Sequence, residues 1–246
     1  MKRLAAALLS LAAFLAAWKL LTVVMGTPVY ILPAPEVVAD RALGAIGSGI
    51  LWQHTAVTLS EILLGFALGA LSAGAVGIAL GKSIVVERVL SPYIVAAQSV
   101  PILALAPLLD IWFGGGLLAR VLICALIVFF PIAIATMVGI RSADPLLAEM
   151  LRSLGARPSQ LTLRLEIPSA LPVIFGGLRV GVTLAVIGAV VAEWAGASSG
   201  LGVLINIANQ GLFDTPLMFV ALATLAVIGI TLHGLVVVAE RRLVLR

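Results

Sequence analysis

The sequence predicts an all-α protein that crosses a membrane several times. Three features predict it: a shortage of charge, the length of the apolar runs, and the sidedness of the basic residues. Of 246 residues, 62% are hydrophobic and 11% charged, with a mean hydropathy of +1.23. A soluble domain carries about a quarter charged residues to build its water-facing surface. A helical crossing takes about 20 apolar residues, so the chain has room for about six. The single cysteine, Cys124, excludes a disulfide scaffold and reads as a small core residue. The basic balance fits Lys and Arg kept in cytoplasmic loops rather than nucleic-acid binding.

Residues 4–26 are apolar apart from Lys19 and follow Met1-Lys2-Arg3. The run outlasts the roughly 7–15 apolar residues of a signal core, so an uncleaved first span is expected. Residues 62–81, 89–109 and 121–140 carry no charge and read as spans two, three and four, the third as one crossing with Pro92, Pro101 and Pro107 inside it. Pro101, Pro107 and Pro131 imply kinks. A fifth span, from about 174 to 194, is long enough only if Arg179 snorkels to one interface and Glu193 sits near the other. Residues 215–239 form the sixth, with His233 its one ionisable group.

Six spans place both termini on one side. Twelve of the 15 Lys and Arg residues fall on that side, and only Lys19, Arg41 and Arg120 on the other. The bias makes the termini cytoplasmic. The expected outer loops are about 27–58, a tight turn at 110–116, and 195–214, with His54 in the first. Small residues recur every fourth position at Gly65, Gly69, Ala73, Gly77 and Gly81, and again at Gly177, Gly181, Ala185 and Ala189. Such stripes let helix backbones approach closely. They fit packing inside one subunit or a moving, dimer-forming surface.

The chain reads as one transmembrane domain, 1–246, with a cytoplasmic segment at about 141–179. Asp144-Pro145 is a helix start: the carboxylate accepts from free backbone N–H groups, and proline at the first position gives up a donor that had no partner. Gly155 supplies the stop. Leu147, Leu151 and Leu154 form an apolar stripe, with Glu149 and Arg152 turned elsewhere. A helix this short needs something to dock on. Pro158 restarts the chain, and Pro168 and Pro172 are expected to break it again before the fifth span.

These residues carry a family resemblance. Glu149-Met150-Leu151-Arg152-Ser153-Leu154-Gly155, followed nine residues later by Leu165-Glu166-Ile167-Pro168, resembles the cytoplasmic signature of ABC importer permeases: Glu-Ala-Ala, three residues, Gly, nine residues, Ile-x-Leu-Pro. Met150-Leu151 stands in place of the Ala-Ala pair. Leu32-Pro33-Ala34-Pro35, the stretch from Gln98 to Gly115, and Glu193 through Gly202 extend the likeness to the nitrate, sulfonate and taurine group. Glu61 stands where that group more often has a basic residue and inherits no role. The resemblance implies a type I ABC importer permease fold in the bacterial inner membrane, paired with a second permease subunit as a homodimer. It further implies two ABC ATPase subunits and a periplasmic or lipid-anchored solute-binding protein. Asp144, Pro145, Glu149, Leu151, Arg152, Gly155 and Pro168 would couple to the ATPase, and ATP would be bound there, leaving this chain with no cofactor. The implied solute is a small organic or inorganic anion such as a sulfonate, taurine or nitrate, with a pyrimidine or thiamine precursor or an aromatic acid as the alternative.

Catalytic readings fail on spacing. Gly77 through Lys82-Ser83 resembles a phosphate loop, but only three residues separate Gly77 from Gly81 where four are needed, and the run ends a membrane helix. Ser199 and His233, the residues an intramembrane serine protease would use, are about 27 Å apart in depth at 1.5 Å per helical residue. Neither histidine has metal partners at useful spacing. A secondary transporter would show intramembrane charges that bind the driving ion, and only the edge residues Glu61, Asp110 and Glu193 qualify. Gln98, Ser99, Thr183, Glu193 and Asn206 are the polar candidates for a solute pathway.

Overall fold

The computed structural model describes residues 2–211 and 213–244. Helices are the only regular structure among them. In chain order they are α1 (Lys2–Val24), α2 (Pro35–Gly47), α3 (Ile50–Lys82), α4 (Ile84–Ser99), α5 (Ile102–Phe113), α6 (Leu117–Arg141), α7 (Pro145–Ser153), α8 (Pro158–Leu161), α9 (Ile167–Gly196), α10 (Leu201–Asn206) and α11 (Thr215–Leu243). Single π turns precede α9, at Thr162–Glu166, and follow α10, at Ile207–Gly211. Four helical stretches are long and apolar enough to cross a membrane, at Ile50–Lys82, Leu117–Arg141, Pro158–Gly196 and Thr215–Leu243.

The third expected span is more sharply bent than a kinked helix. It is the pair α4 and α5, bent by 96°. Proline disfavours helical backbone in the residue before it, and Val100, before Pro101, is extended at φ −80°, ψ 124°. Pro92 and Pro107 lie within helices without ending them. Pro168 and Pro172 do not interrupt the chain either. Pro168 falls in the first turn of α9, where a missing N–H costs little. The π turn before it closes with the Ile167 N–H donating to Thr162 O, and helix runs on from Pro158 to Gly196. The expected first outer loop is largely helical: it folds into α2, and α3 begins at Ile50. At 33 residues α3 is about 50 Å long, well beyond a hydrocarbon core of about 30 Å.

The chain divides into two compact units. In the first, residues up to Val57 with Ser198–Ala226, Trp18 stacks on Phe219 with ring centroids 5.6 Å apart. Lys19 pairs with Glu36, and Arg41 Nε meets Asp214 Oδ2 at 2.7 Å. His54 is on α3, its Nδ1 against the backbone of Gly200, 3.0 Å from the nitrogen and 2.6 Å from the oxygen.

The second unit, Thr58–Ala197 with the chain from Val227 onward, is built around α6, the most deeply buried span. Its core joins Ile62 and Ala73 of α3, Cys124, Val128 and Ile132 of α6, and Ala185 and Ala189 of α9. Both small-residue stripes face α6, so both serve packing inside one subunit. A Cβ at Gly77 would lie 2.5 Å from Thr136 Cβ and 2.7 Å from Ala133 O. On the other stripe, a Cβ at Gly177 would lie 2.5 Å from Ala135 Cβ, and one at Gly188 would lie 3.1 Å from Cys124 Cα. Association in lipid gains little from the hydrophobic effect and depends on such close approach. Cys124 is fully buried, and its thiol donates to Ala185 O at 3.4 Å.

Candidate functional site

Three features of the second unit stand out: a short exposed helix, a mainly apolar cavity, and a buried ion pair with a neighbouring carboxyl.

The short helix is α7. Asp144 caps it, its Oδ1 accepting the Leu146 N–H at 2.8 Å, and Pro145 takes the first position. Gly155 ends it at φ +81°. Its N–H donates to Arg152 O at 2.9 Å, and the Ala156 N–H donates to Leu151 O at 3.0 Å, the pair of bonds that closes a helix through a left-handed residue. No residue of α7 is buried. Leu146 (73% exposed), Leu147, Met150 and Leu154 (75%) turn large apolar surface outward. Leu151 is half-buried, while Glu149 and Arg152 are exposed. The apolar face is therefore wider than the expected leucine stripe.

Beyond α7 the chain is anchored. Lys82, at the end of α3, hydrogen-bonds Thr162 of the π turn and sits 3.3 Å from Glu166 Oε2. Arg141, at the end of α6, donates to Leu80 O at 2.8 Å and to Glu87 Oε2 at 2.7 Å. Arg179 pairs with Glu240 of α11 rather than snorkelling alone. An end of α9 fixed by ion pairs thus adjoins a helix with no fixed partner.

A cavity of about 540 Å³ opens beside the bend at Pro101, lined by Gln98, Phe130, Pro131, Leu184 and other apolar residues. None of its lining residues is charged. Of the five pathway candidates, Gln98 is the one in this lining. Ser99 is exposed, donating to Val95 O at 2.9 Å. Thr183 is exposed, donating to Val180 O at 2.8 Å. Asn206 is exposed in the first unit. Glu193 is 1% exposed and accepts the Thr58 hydroxyl hydrogen bond.

Glu193 is the carboxyl that neighbours the ion pair. Glu61 of α3 is fully buried. Arg120 Nε, in the first turn of α6, lies 3.0 Å from Glu61 Oε1, and Glu193 reaches the same stretch of α3 through its hydrogen bond from Thr58. Sequence reasoning passed over Glu61 and Arg120 because each borders an apolar run and looks interfacial. Their signal was the scarcity of charge: ionisable groups at membrane depth are costly and find one another.

The fold and the signature define a transport subunit. Residues 65–245 match the family described as binding-protein-dependent transport system inner membrane component, and the chain belongs to it. It is 49% identical over 227 residues to the riboflavin transport system permease protein RibX of Chloroflexus aurantiacus, covering 92% of this chain and 84% of that protein. It is 33% identical over 231 residues to the taurine transport system permease protein TauC of Escherichia coli, covering 92% and 83%. An inward-facing structure of the MetNI methionine ABC transporter shares the fold with a TM-score of 0.68 at 19% identity, covering 76% of this chain and 93% of that one.

Proposed function

We propose that the chain is the pathway-forming subunit of an ATP-driven importer in the bacterial inner membrane, with ATP hydrolysed on a separate ABC ATPase seated against α7. The observation that carries this reading is α7 itself: a nine-residue helix with a cap at each end, no buried residue, and large apolar side chains facing outward. Such a helix does not persist in water without a partner. Asp144, Pro145 and Gly155 shape it, Glu149, Leu151 and Arg152 complete its surface, and Pro168 lies in the first turn of α9, which receives its motion. A second copy of this chain completes the pathway, and a solute-binding protein loads it from outside, with both termini on the cytoplasmic side. The test is copurification: a tagged chain brings down an ATPase. A chain that transports without one is a secondary transporter, and the reading fails.

For the solute, a planar, largely uncharged heterocycle has better support than a sulfonate, taurine or nitrate. A desolvated anion needs a cation or several donors, and the cavity beside Pro101 offers Gln98 among apolar and aromatic side chains. The relative at 49% identity carries riboflavin in its name; the relatives named for taurine or sulfonates match at 33–37%. Riboflavin-loaded binding protein is expected to stimulate ATP hydrolysis by the assembled importer and taurine-loaded protein to leave it at the basal rate. The reverse result restores the anion.

A further inference from the structure

We infer that a second cavity, between the ends of α3 and α6, the end of α7 and the π turn before α9, binds a phosphate group. It has a volume of about 390 Å³, and Lys82, Arg152 and Glu166 line it among Gly81, Ile140 and Leu161. At about 30 Å³ per water, a phosphate group and part of its ester have room there. No ATPase is needed to form the cavity, because every lining residue belongs to the second unit.

The cations are placed for an oxyanion. Lys82 Nζ carries three hydrogens; it hydrogen-bonds Thr162 and faces Glu166 Oε2 at 3.3 Å, which leaves one donor over. Arg152 presents five N–H donors in a planar fork, and its side chain neither bonds to nor pairs with any described residue. Arg152 also stands apart from the apolar face of α7. It is two residues from both Met150 and Leu154, about 200° around the helix at 3.6 residues per turn. So α7 turns apolar surface outward on one side and offers a free guanidinium to the cavity on the other. Arg141, which donates to Gly81 O at the cavity edge, is paired with Glu87. Lys82 and Glu166 cancel, so Arg152 leaves the cavity with one positive charge.

A guanidinium fork takes two phosphate oxygens at once. One net positive charge matches a phosphodiester, with its single negative charge, better than a phosphate monoester at about −1.5 to −2. Lys82 ends a helix long and apolar enough to cross a membrane, and basic pockets at the ends of spans take the headgroups of acidic phospholipids. Phosphatidylglycerol has that chemistry, and inorganic phosphate is the soluble source of the same group.

The test uses the full chain, purified without an ATPase. In one arm it sits in nanodiscs of phosphatidylcholine with or without phosphatidylglycerol, and native mass spectrometry weighs the lipid that stays bound on release. In the other, inorganic phosphate is titrated in detergent against chloride at equal ionic strength, and the melting temperature is read. Arg152→Gln is expected to weaken binding roughly ten-fold, the size of one charge-assisted contact. Arg157→Gln, which removes an exposed charge outside the lining, should leave binding unchanged. Glu166→Gln removes the one anion of the lining and should tighten binding. A merely structural role would produce no such gain, and it decides the outcome should Arg152→Gln fail to fold. This pattern with phosphatidylglycerol identifies a lipid headgroup site; the same pattern with inorganic phosphate alone makes free phosphate the ligand. Three results overturn the inference: no binding of either probe by the native chain, equal losses in Arg152→Gln and Arg157→Gln, or unchanged binding in Arg152→Gln with ATPase copurification lost.

Discussion

At single residues the backbone decides what a substitution does. Gly155 stands at φ +81°, a conformation that costs a residue with a Cβ about 1–2 kcal/mol. Gly155→Val is expected to loosen the end of α7 and reduce solute-stimulated ATP hydrolysis by reconstituted complexes while membrane insertion stays intact; unchanged stimulation would rule out α7 as the transmitting element. Neighbouring glycines on α9 make a sharper comparison. A Cβ at Gly177 would lie 2.5 Å from Ala135 Cβ, while one at Gly176 meets nothing within 4 Å. Gly177→Ala should lower the melting temperature, at an overpacking cost of about 1–3 kcal/mol. Gly176→Ala should leave it unchanged or raise it, since alanine is the better helix former by about 1 kcal/mol. Spacing alone marked Gly177 as special, but the surface it meets lies more than forty residues away in sequence and became visible only in the packed unit.

Among the elements, α7 is set apart as a short, capped helix with no buried residue. Leu154 is 75% exposed, so Leu154→Glu removes apolar surface from the outward face without leaving a hole in the core. The expected outcome is loss of ATPase copurification at an unchanged melting temperature; a lowered melting temperature with the ATPase still bound would show that Leu154 serves this chain's own fold. The π turn Thr162–Glu166 couples α7 to α9. One residue fewer there would restore α-helical winding and rotate whatever precedes it by about 100° relative to α9. Deleting Leu163, which is 67% exposed, is therefore expected to keep the spans folded and abolish solute-stimulated ATP hydrolysis. The start of α7 was legible from Asp144-Pro145 and its end from Gly155. The π turn was not, because Pro168 and Pro172 suggested breaks where the helix in fact tolerates proline within its first turns.

For the whole molecule, sidedness is the governing property. Each of the three basic residues assigned to the outer side meets a carboxylate within its own unit: Lys19 with Glu36, Arg41 with Asp214, and Arg120 with Glu61. The Lys19 hydrogen bond holds the Glu36 carboxyl below the usual carboxylate range. With these three cations paired, the remaining basic loops are expected to set orientation. In intact cells a membrane-impermeant maleimide is expected to label Ser198→Cys and not Arg157→Cys, with buried Cys124 left in place. Labelling at Arg157→Cys alone would invert the topology.

The sequence by itself determined the class of protein and the two ends of α7. These follow from local chemistry: too few charges to face water, long apolar runs, and caps within one turn of the backbone groups they serve. Tertiary structure alone decided that the third run turns a corner at Pro101, that both small-residue stripes grip α6, and that Glu61 meets Arg120 while Glu193 reaches Thr58. Each depends on which helix faces which, and residues 61, 120 and 193 share no local period. Charge scarcity marked them as costly; only the packing of α3, α6 and α9 showed how that cost is offset.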